Sequence, residues 1–253
     1  MARASHRLLY CHPVRDPDAV REMFSAISDR YDLLNHLLSA GLDRSWRRRA
    51  VRSLASSPGD LVLDLCGGTG DLAVEAMRAG ARVVCCDFSE KMLARAERKF
   101  AGLQTRANGQ TQGTPPRARC LLADALRLPF PDGTFEDVLV GFGLRNLRSL
   151  EEGLDEIRRV LRPGGAVCIL EFSSPAAGVL GDLYRLYLNN LLPRIGEFIS
   201  RRRGSYGYLA KTIGEFPSGE ALARQMSERG YSNVLWRPLT GGIVAVHTGR
   251  RPS

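Results

Sequence analysis

Apolar residues follow two alternating rhythms along this chain of 253 residues. Short, dense apolar runs occur at 60–66 ("DLVLDLC"), 81–89 ("ARVVCCDFS"), 118–125 ("ARCLLADA"), 135–142 ("FEDVLVGF") and 166–173 ("AVCILEFS"). They are too short for ordinary helices and are edged by Gly, Pro or Asp, so they predict buried strands. Between them, apolar residues return every three or four positions, as in "GGTGDLAVEAMRAG", "EKMLARAERKF" and "SLEEGLDEIRRVL", which predicts helices. Residues 17–56 read as further helices, with a start signal at Pro17–Asp18 and a break at Gly41. The stretch 101–116, polar with Gly and Pro, predicts an exposed loop, and "RPGG" a turn. A helical region covers 176–213, another helix "SGEALARQMSERG", and two more strands follow at 231–239 and 242–250.

Strands alternating with helices predict a doubly wound α/β fold with a parallel sheet. Right-handed crossovers put the strands' C-terminal ends on one edge, where ligands of such folds bind. The residues at that edge are Asp64 to Asp71, Asp87, Asp124 and Gly141 to Asn146. "GTGDLA" (68–73), holding Gly68, Thr69 and Gly70, formally fits a dinucleotide fingerprint, with Asp87 at a ribose-binding distance. Charge argues against a dinucleotide. Its pyrophosphate would face Asp64 and Asp71, and like charges ~4 Å apart cost about 4 kcal/mol at an effective dielectric of 20. A cationic nucleoside gains there instead. S-adenosylmethionine has an ammonium, a sulfonium and no phosphate. Asp64 would set its methionine end, Asp87 its ribose hydroxyls, and Asp124, beside Ala125, its adenine amino group. Each acid alone could be a plain helix cap or turn residue.

Composition narrows the classes. The net charge is +9, with 33 Arg and 3 Lys, concentrated in "DRSWRRRAVR" (43–52) and "SRRRGSYGYLAK" (200–211). Such runs suit nucleic acid or an anionic membrane, or are simply solvated helix faces. The six cysteines form no C-x-x-C pair and read as reduced core residues of a cytosolic protein. Four histidines without spaced carboxylates predict no metal site. No apolar stretch reaches the ~18 residues that span a bilayer, and the N-terminus is too weakly apolar for a signal peptide.

"VLDLCGGTGDLA", "DALRLPFPDGTFEDVL" and "RVLRPGGAVCILEFS" resemble the class I S-adenosylmethionine-dependent methyltransferases. "RYDLLNHLLSAGLDRSWRR", "FGLRNL", "LPRIG", "SYGYLAKTIGEFP" and "LTGGIVAVHTG" are similar, more narrowly, to the ubiquinone/menaquinone biosynthesis C-methyltransferases, over about residues 20–249. The resemblance implies a Rossmann-like, mostly parallel sheet with an antiparallel last strand, N-terminal helices over 17–56 and a helical lid over 176–213. Residues 1–16 would be an extended or disordered start to one domain spanning 17–253. It also implies cofactor contacts at Thr69, Asp87, Asp124 and Ala125. Some relatives have Ser where this chain has Gly141, and Cys66 stands where a Gly is common.

The implied reaction methylates a ring carbon of demethylmenaquinol or, alternatively, of a prenylated methoxybenzoquinol, or both. The carbon becomes nucleophilic when a hydroquinone proton leaves, and a phenol titrates near pH 10. Fixed donors must hold the phenolate, and Arg145 and Asn146 are the candidates. Tyr31, Asp32 and His36 would close over the site, with Asp32 or His36 as base. The helical face of 178–200 would line a channel for the prenyl tail, and Arg201 to Arg203 would rest on anionic headgroups. The expected setting is the cytoplasm, at the inner face of the membrane, with a second copy of the chain as a candidate partner. Three other readings compete: a methyltransferase of another small molecule, an RNA-binding protein or RNA methyltransferase, and an NAD-dependent oxidoreductase. The second lacks aromatics interleaved with its basic runs, so no nucleic-acid partner is expected.

Overall fold

The computed structural model describes residues 16–54, 56–107, 118–173 and 211–253. Helices α1 (Pro17–Ile27), α2 (Tyr31–Leu38) and α3 (Leu42–Ser53) come first. Strand β1 (Leu61–Leu65), α4 (Asp71–Arg78), β2 (Arg82–Asp87), α5 (Glu90–Ala107), β3 (Ala118–Leu122), β4 (Phe135–Gly141), α6 (Leu150–Val160) and β5 (Leu161–Phe172) follow. Helix α7 (Gly219–Glu228), β6 (Ser232–Leu239) and β7 (Val244–Arg250) complete the described chain. The local signals work as their chemistry predicts. Asp16 caps α1 ahead of Pro17, Ser149 caps α6 by accepting from the Glu152 amide at 3.1 Å, and Gly41 takes the left-handed conformation that separates α2 from α3.

The seven strands form one sheet in the order β3-β2-β1-β4-β5-β7-β6. Strands β1 to β5 pair in parallel and β7 is antiparallel to both its neighbours. Side chains alternate between the faces. Val62 and Leu139 join Trp46, Ala73 and Ala96 in one core, while Leu63, Leu65, Val138 and Val140 join Leu154, Ile157 and Leu222 in the other. Both faces are covered, which is why the strands read as near-continuous apolar runs. Strand β1 has β2 on one side and β4 on the other, so the order reverses there and opens a crevice at its C-terminal end.

Two local expectations need correction. Helix α5 continues to Ala107 instead of ending at Phe100, because Leu103 still finds the core. "RPGG" lies within β5, where Leu161 pairs with Phe135 across a register shift. The remainder of the 101–116 loop and nearly all of 176–213, including Arg201 to Arg203, lie outside the described residues. Cys85, Cys86 and Cys168 are buried, Cys66 and Cys120 partly so, and all five are free thiols.

The glycines of "GFG" act on packing. Strand β4 ends beside the turn that leaves β1. A side chain at Gly143 would overlap Cys66, and one at Gly141 would come within 3.0 Å of Leu72. The crossing also holds Cys66 and Phe142 at φ of 55° and 59°, where residues with side chains are strained. Gly143→Ala should therefore cost about 1–3 kcal/mol of stability in chemical denaturation, and adding Cys66→Gly should recover most of it. Equal losses in the single and double variants would show that the crossing is not the constraint.

Candidate functional site

The site forms where β1 and β2 end. After Leu65 the chain turns sharply, with the Gly67 amide donating to the Cys86 carbonyl at 2.9 Å and the Gly70 amide to the Gly67 carbonyl at 2.8 Å. Gly68 and Gly70 both have positive φ. The Gly68 amide donates to Asp87 Oδ2 at 2.9 Å, and the Ser89 amide to Asp87 Oδ1 at 2.9 Å. One carboxylate thus ties the first turn to the second strand.

Asp64 is fully buried beneath this turn. Its Oδ2 accepts from the Ala73 amide at 2.9 Å, and its Oδ1 has no hydrogen-bond partner. Burial pushes the Asp64 carboxyl up to about 7, with nearby Asp87 adding to the rise. Burial likewise lifts Asp87 to about 6, against the pull of its backbone donors. Neither makes an ion pair among the described residues. Two uncompensated buried carboxylates at one turn form a site poised for positive charge.

A cleft of about 410 Å³ opens at this edge, within the range of small-molecule sites. Gly68, Asp87, Phe88, Met92, Asp124 and Ala125 line it, with Gly141, Phe142 and Asn146 from the end of β4 and the turn after it. Helix α1 supplies Arg21 and Phe24 to the rim, and α2 brings in Tyr31, whose ring meets Phe24 edge-on at 6.0 Å. Asp124 Oδ1 accepts from the Leu126 amide at 2.9 Å, forming a local turn that holds the carboxylate at the rim.

The structure brings Tyr31, Gly68, Asp87, Asp124, Ala125, Gly141 and Asn146 to this cleft and turns six other expected residues away from it. Asp64 lies beneath the turn, not on the cleft wall. Gly70 faces α5, where an added Cβ would meet Phe100 at 2.6 Å. Thr69 is buried and its hydroxyl donates to Asp32. Asp32 is also held by Lys99 Nζ at 2.9 Å, so its oxygens serve an ion-pair chain and not the role of base. That chain runs on from Lys99 to Asp71, then to Arg47 at 3.5 Å, to Asp43, and to His36 Nδ1 at 2.6 Å from Asp43 Oδ2. His36, Asp43 and Asp71 cluster closely enough to hold a cation, but the Arg47 guanidinium already occupies that role.

Arg145 is the largest correction. "FGLRN" does not aim it at the cleft: it is buried, and its guanidinium bonds Glu171 Oε1 at 2.7 Å and the Phe142 carbonyl. It stacks over Phe172 at 5.3 Å and leaves Nε without a hydrogen-bond partner. Its charge reaches the cleft indirectly. Tyr31 is raised by burial, and Arg145 is the largest influence opposing that rise. Glu171, the partner, was missed by sequence reasoning; a lone carboxylate inside "AVCILEFS" was the available signal, since such a charge must find a counter-ion. Lys99, Met92 and Phe24 were missed because helical spacing alone does not say which turn reaches the sheet edge.

Comparison with known proteins agrees with this architecture. The model of the ubiE/COQ5 methyltransferase family matches residues 13–251. The chain is 43% identical over 240 residues to the demethylmenaquinone methyltransferase of Mycobacterium marinum, covering 94% of this chain and 96% of that one. It is 45% identical over 232 residues to the enzyme of the same name from Thermus thermophilus, covering 91% and 100%. A crystal structure of an S-adenosylmethionine-dependent methyltransferase from Thermotoga maritima, described as a possible histamine N-methyltransferase, shares the fold with a TM-score of 0.62 at 17% identity, over 91% and 98% of the two chains.

Two predictions follow from these charges. If Arg145 and Glu171 are a buried pair, removing either alone strands the other. Arg145→Ala should lose about 3–5 kcal/mol of stability, and Arg145→Ala/Glu171→Ala clearly less than the sum of the singles. Additive losses would dissolve the pair. For Asp64 and Asp87, the folded values lie above the unfolded 3.8, so the folded state binds more protons between about pH 4 and 7. Their contribution to stability is therefore lost as pH rises through that window and levels off above about 7. Asp64→Asn should remove most of this fall, gaining on the order of 4 kcal/mol over wild type at pH 8 relative to pH 4. Parallel stability–pH curves for the two proteins would contradict it.

Proposed function

We propose that this chain, which belongs to the ubiE/COQ5 methyltransferase family, transfers a methyl group from S-adenosylmethionine to the ring carbon of demethylmenaquinol, giving menaquinol. The extent of the likeness carries the reading: relatives named for this reaction match at 43–45% identity over nine-tenths or more of both chains. Their shared name favours the naphthoquinol over the methoxybenzoquinol. The cleft fits the methyl donor on its own terms. It joins a buried, unpartnered carboxylate oxygen at Asp64 to a second elevated acid at Asp87, and that charge repels a pyrophosphate while welcoming an ammonium and a sulfonium.

S-adenosylmethionine, when bound, would supply an electrophilic methyl, its C–S bond breaking to leave S-adenosylhomocysteine, and solvent would take the proton given up as the ring carbon exchanges hydrogen for methyl. The chain's own residues do the following. Asp87 accepts the ribose hydroxyls with the lone pairs its two amide donors leave over. Asp64 provides negative potential from beneath the turn, and Asp124 and Ala125 bound the adenine end. Tyr31 and Asn146 also line the cleft, Asn146 donating to the Phe142 carbonyl at 3.3 Å. Burial keeps the Tyr31 phenol protonated, so it donates a hydrogen bond and does not take a proton. It stabilises the quinol oxygen as charge develops there. Arg145 is a positioning residue, anchored by Glu171 and lending positive potential through Tyr31. The protein works at an anionic membrane surface, where a prenylated quinol resides; no described helix is long and apolar enough to cross the membrane.

Methyl-labelled S-adenosylmethionine incubated with chemically reduced demethylmenaquinol should yield labelled menaquinol by mass spectrometry, and the oxidised quinone should not react. Equal transfer to the quinone would refute the phenolate step. Tyr31→Phe should lower kcat on the order of 100-fold, as loss of one oxyanion donor does, while the calorimetric Kd for S-adenosylmethionine stays within a factor of about two. A Tyr31→Phe enzyme with wild-type kcat would remove Tyr31 from the mechanism.

A further inference from the structure

A second cavity, of about 470 Å³, lies between α3, α4 and α5 and shares no lining residue with the cleft. Five cations line it, Arg44, Arg47, Arg78, Arg98 and Lys99, against the two carboxylates Asp71 and Glu75. Both carboxylates are already neutralised: Asp71 by Lys99 and Arg47, and Glu75 by Arg78 at 2.6 Å. Arg44 and Arg98 are exposed and make no ion pair among the described residues. Arg48 and Arg52 extend the positive face from Arg44 at four-residue spacing along α3, also exposed.

The helices that supply His36 and Arg44 to this cavity also expose leucines. Leu33 and Leu37, four residues apart on α2, are 60% and 55% exposed, and Leu42 at the start of α3 is 42% exposed. One exposed leucine needs no explanation, but three on adjoining helices beside an electropositive cavity form a patterned surface. We propose that this face docks onto an anionic phospholipid bilayer: the leucines enter the headgroup–acyl boundary while Arg44 and Arg98 hold lipid phosphates. The charge alone would also suit nucleic acid. Aliphatic leucines, however, offer no stacking face for bases and gain only where there is hydrocarbon to enter. Helix α2 thereby has two sides in use, with Tyr31 in the cleft and Leu33 and Leu37 outward. This inference gives a place to the membrane association proposed above and rests on that part of the reading.

The test is sedimentation of the full chain with vesicles of phosphatidylglycerol mixed into phosphatidylcholine, compared with phosphatidylcholine alone. Binding should require the anionic lipid and fall with salt. Arg44→Gln/Arg98→Gln should weaken it on the order of 30-fold, and Leu33→Ser/Leu37→Ser at least about tenfold. Both variants should keep wild-type circular dichroism and wild-type turnover of a soluble short-tail quinol. The proposal is overturned if the wild type ignores anionic vesicles, or if either folded variant binds them like wild type. It is equally overturned if the protein binds inorganic phosphate or RNA while ignoring vesicles. Failure of the soluble quinol to be methylated, with vesicle binding still tracking the variants, would instead remove the quinol reading and leave the docking surface standing.

Discussion

Two carboxylates buried at neighbouring strand ends, with no counter-ion among the described residues, set the terms for everything around them. Asp64 and Asp87 are costly in the empty protein, and the cost is visible in carboxyls raised to about 7 and 6. Such groups persist because the surrounding structure fixes them. The turn from Cys66 to Gly70 hangs on the Asp87 carboxylate, and the start of α4 hangs on Asp64 through the Ala73 amide. The same burial makes the turn a receptor for positive charge. Structural cost and the proposed ligand selectivity share one electrostatic origin, the burial of these two acids.

The opposite wall solves a different problem. There, a cation and an anion are buried together, and Arg145 and Glu171 satisfy one another with help from the Phe142 carbonyl. This pair fixes the strained passage at Phe142, where the ring packs between Trp46 and Phe172 with centroids 6.3 and 4.7 Å away. It also shapes the field at Tyr31. One side of the cleft thus holds two elevated acids, and the other a neutralised ion pair whose Arg145 end still acts on Tyr31.

Between cleft and surface runs the ion-pair chain from Asp32 through Lys99, Asp71, Arg47 and Asp43 to His36. It fastens the N-terminal helices to the glycine turn by way of Thr69. Two of its members, Asp32 and His36, are the acid and the histidine expected as candidate bases. Their pairing, Asp32 with Lys99 of α5 and His36 with Asp43 of α3, accounts instead for how α2 is held where Tyr31 can face the cleft.

The sequence by itself determined the alternation of strands and helices, the sheet edge where the cleft opens, and the acids at three strand ends, because period and strand-terminal position follow from local pattern. The positions of Asp87, Asp124 and Asn146 at strand ends were legible for that reason, whereas Tyr31, on an N-terminal helix, was expected only from the family resemblance. What tertiary structure alone decided was direction. Whether Thr69, Asp32 and Arg145 face the ligand or the protein depends on partners 26 to 67 residues away: Glu171 for Arg145, and Lys99 for Asp32. A charged side chain in a partly buried place turns toward the strongest counter-charge within reach, and which counter-charge is within reach is a property of the folded chain, not of any window of its sequence.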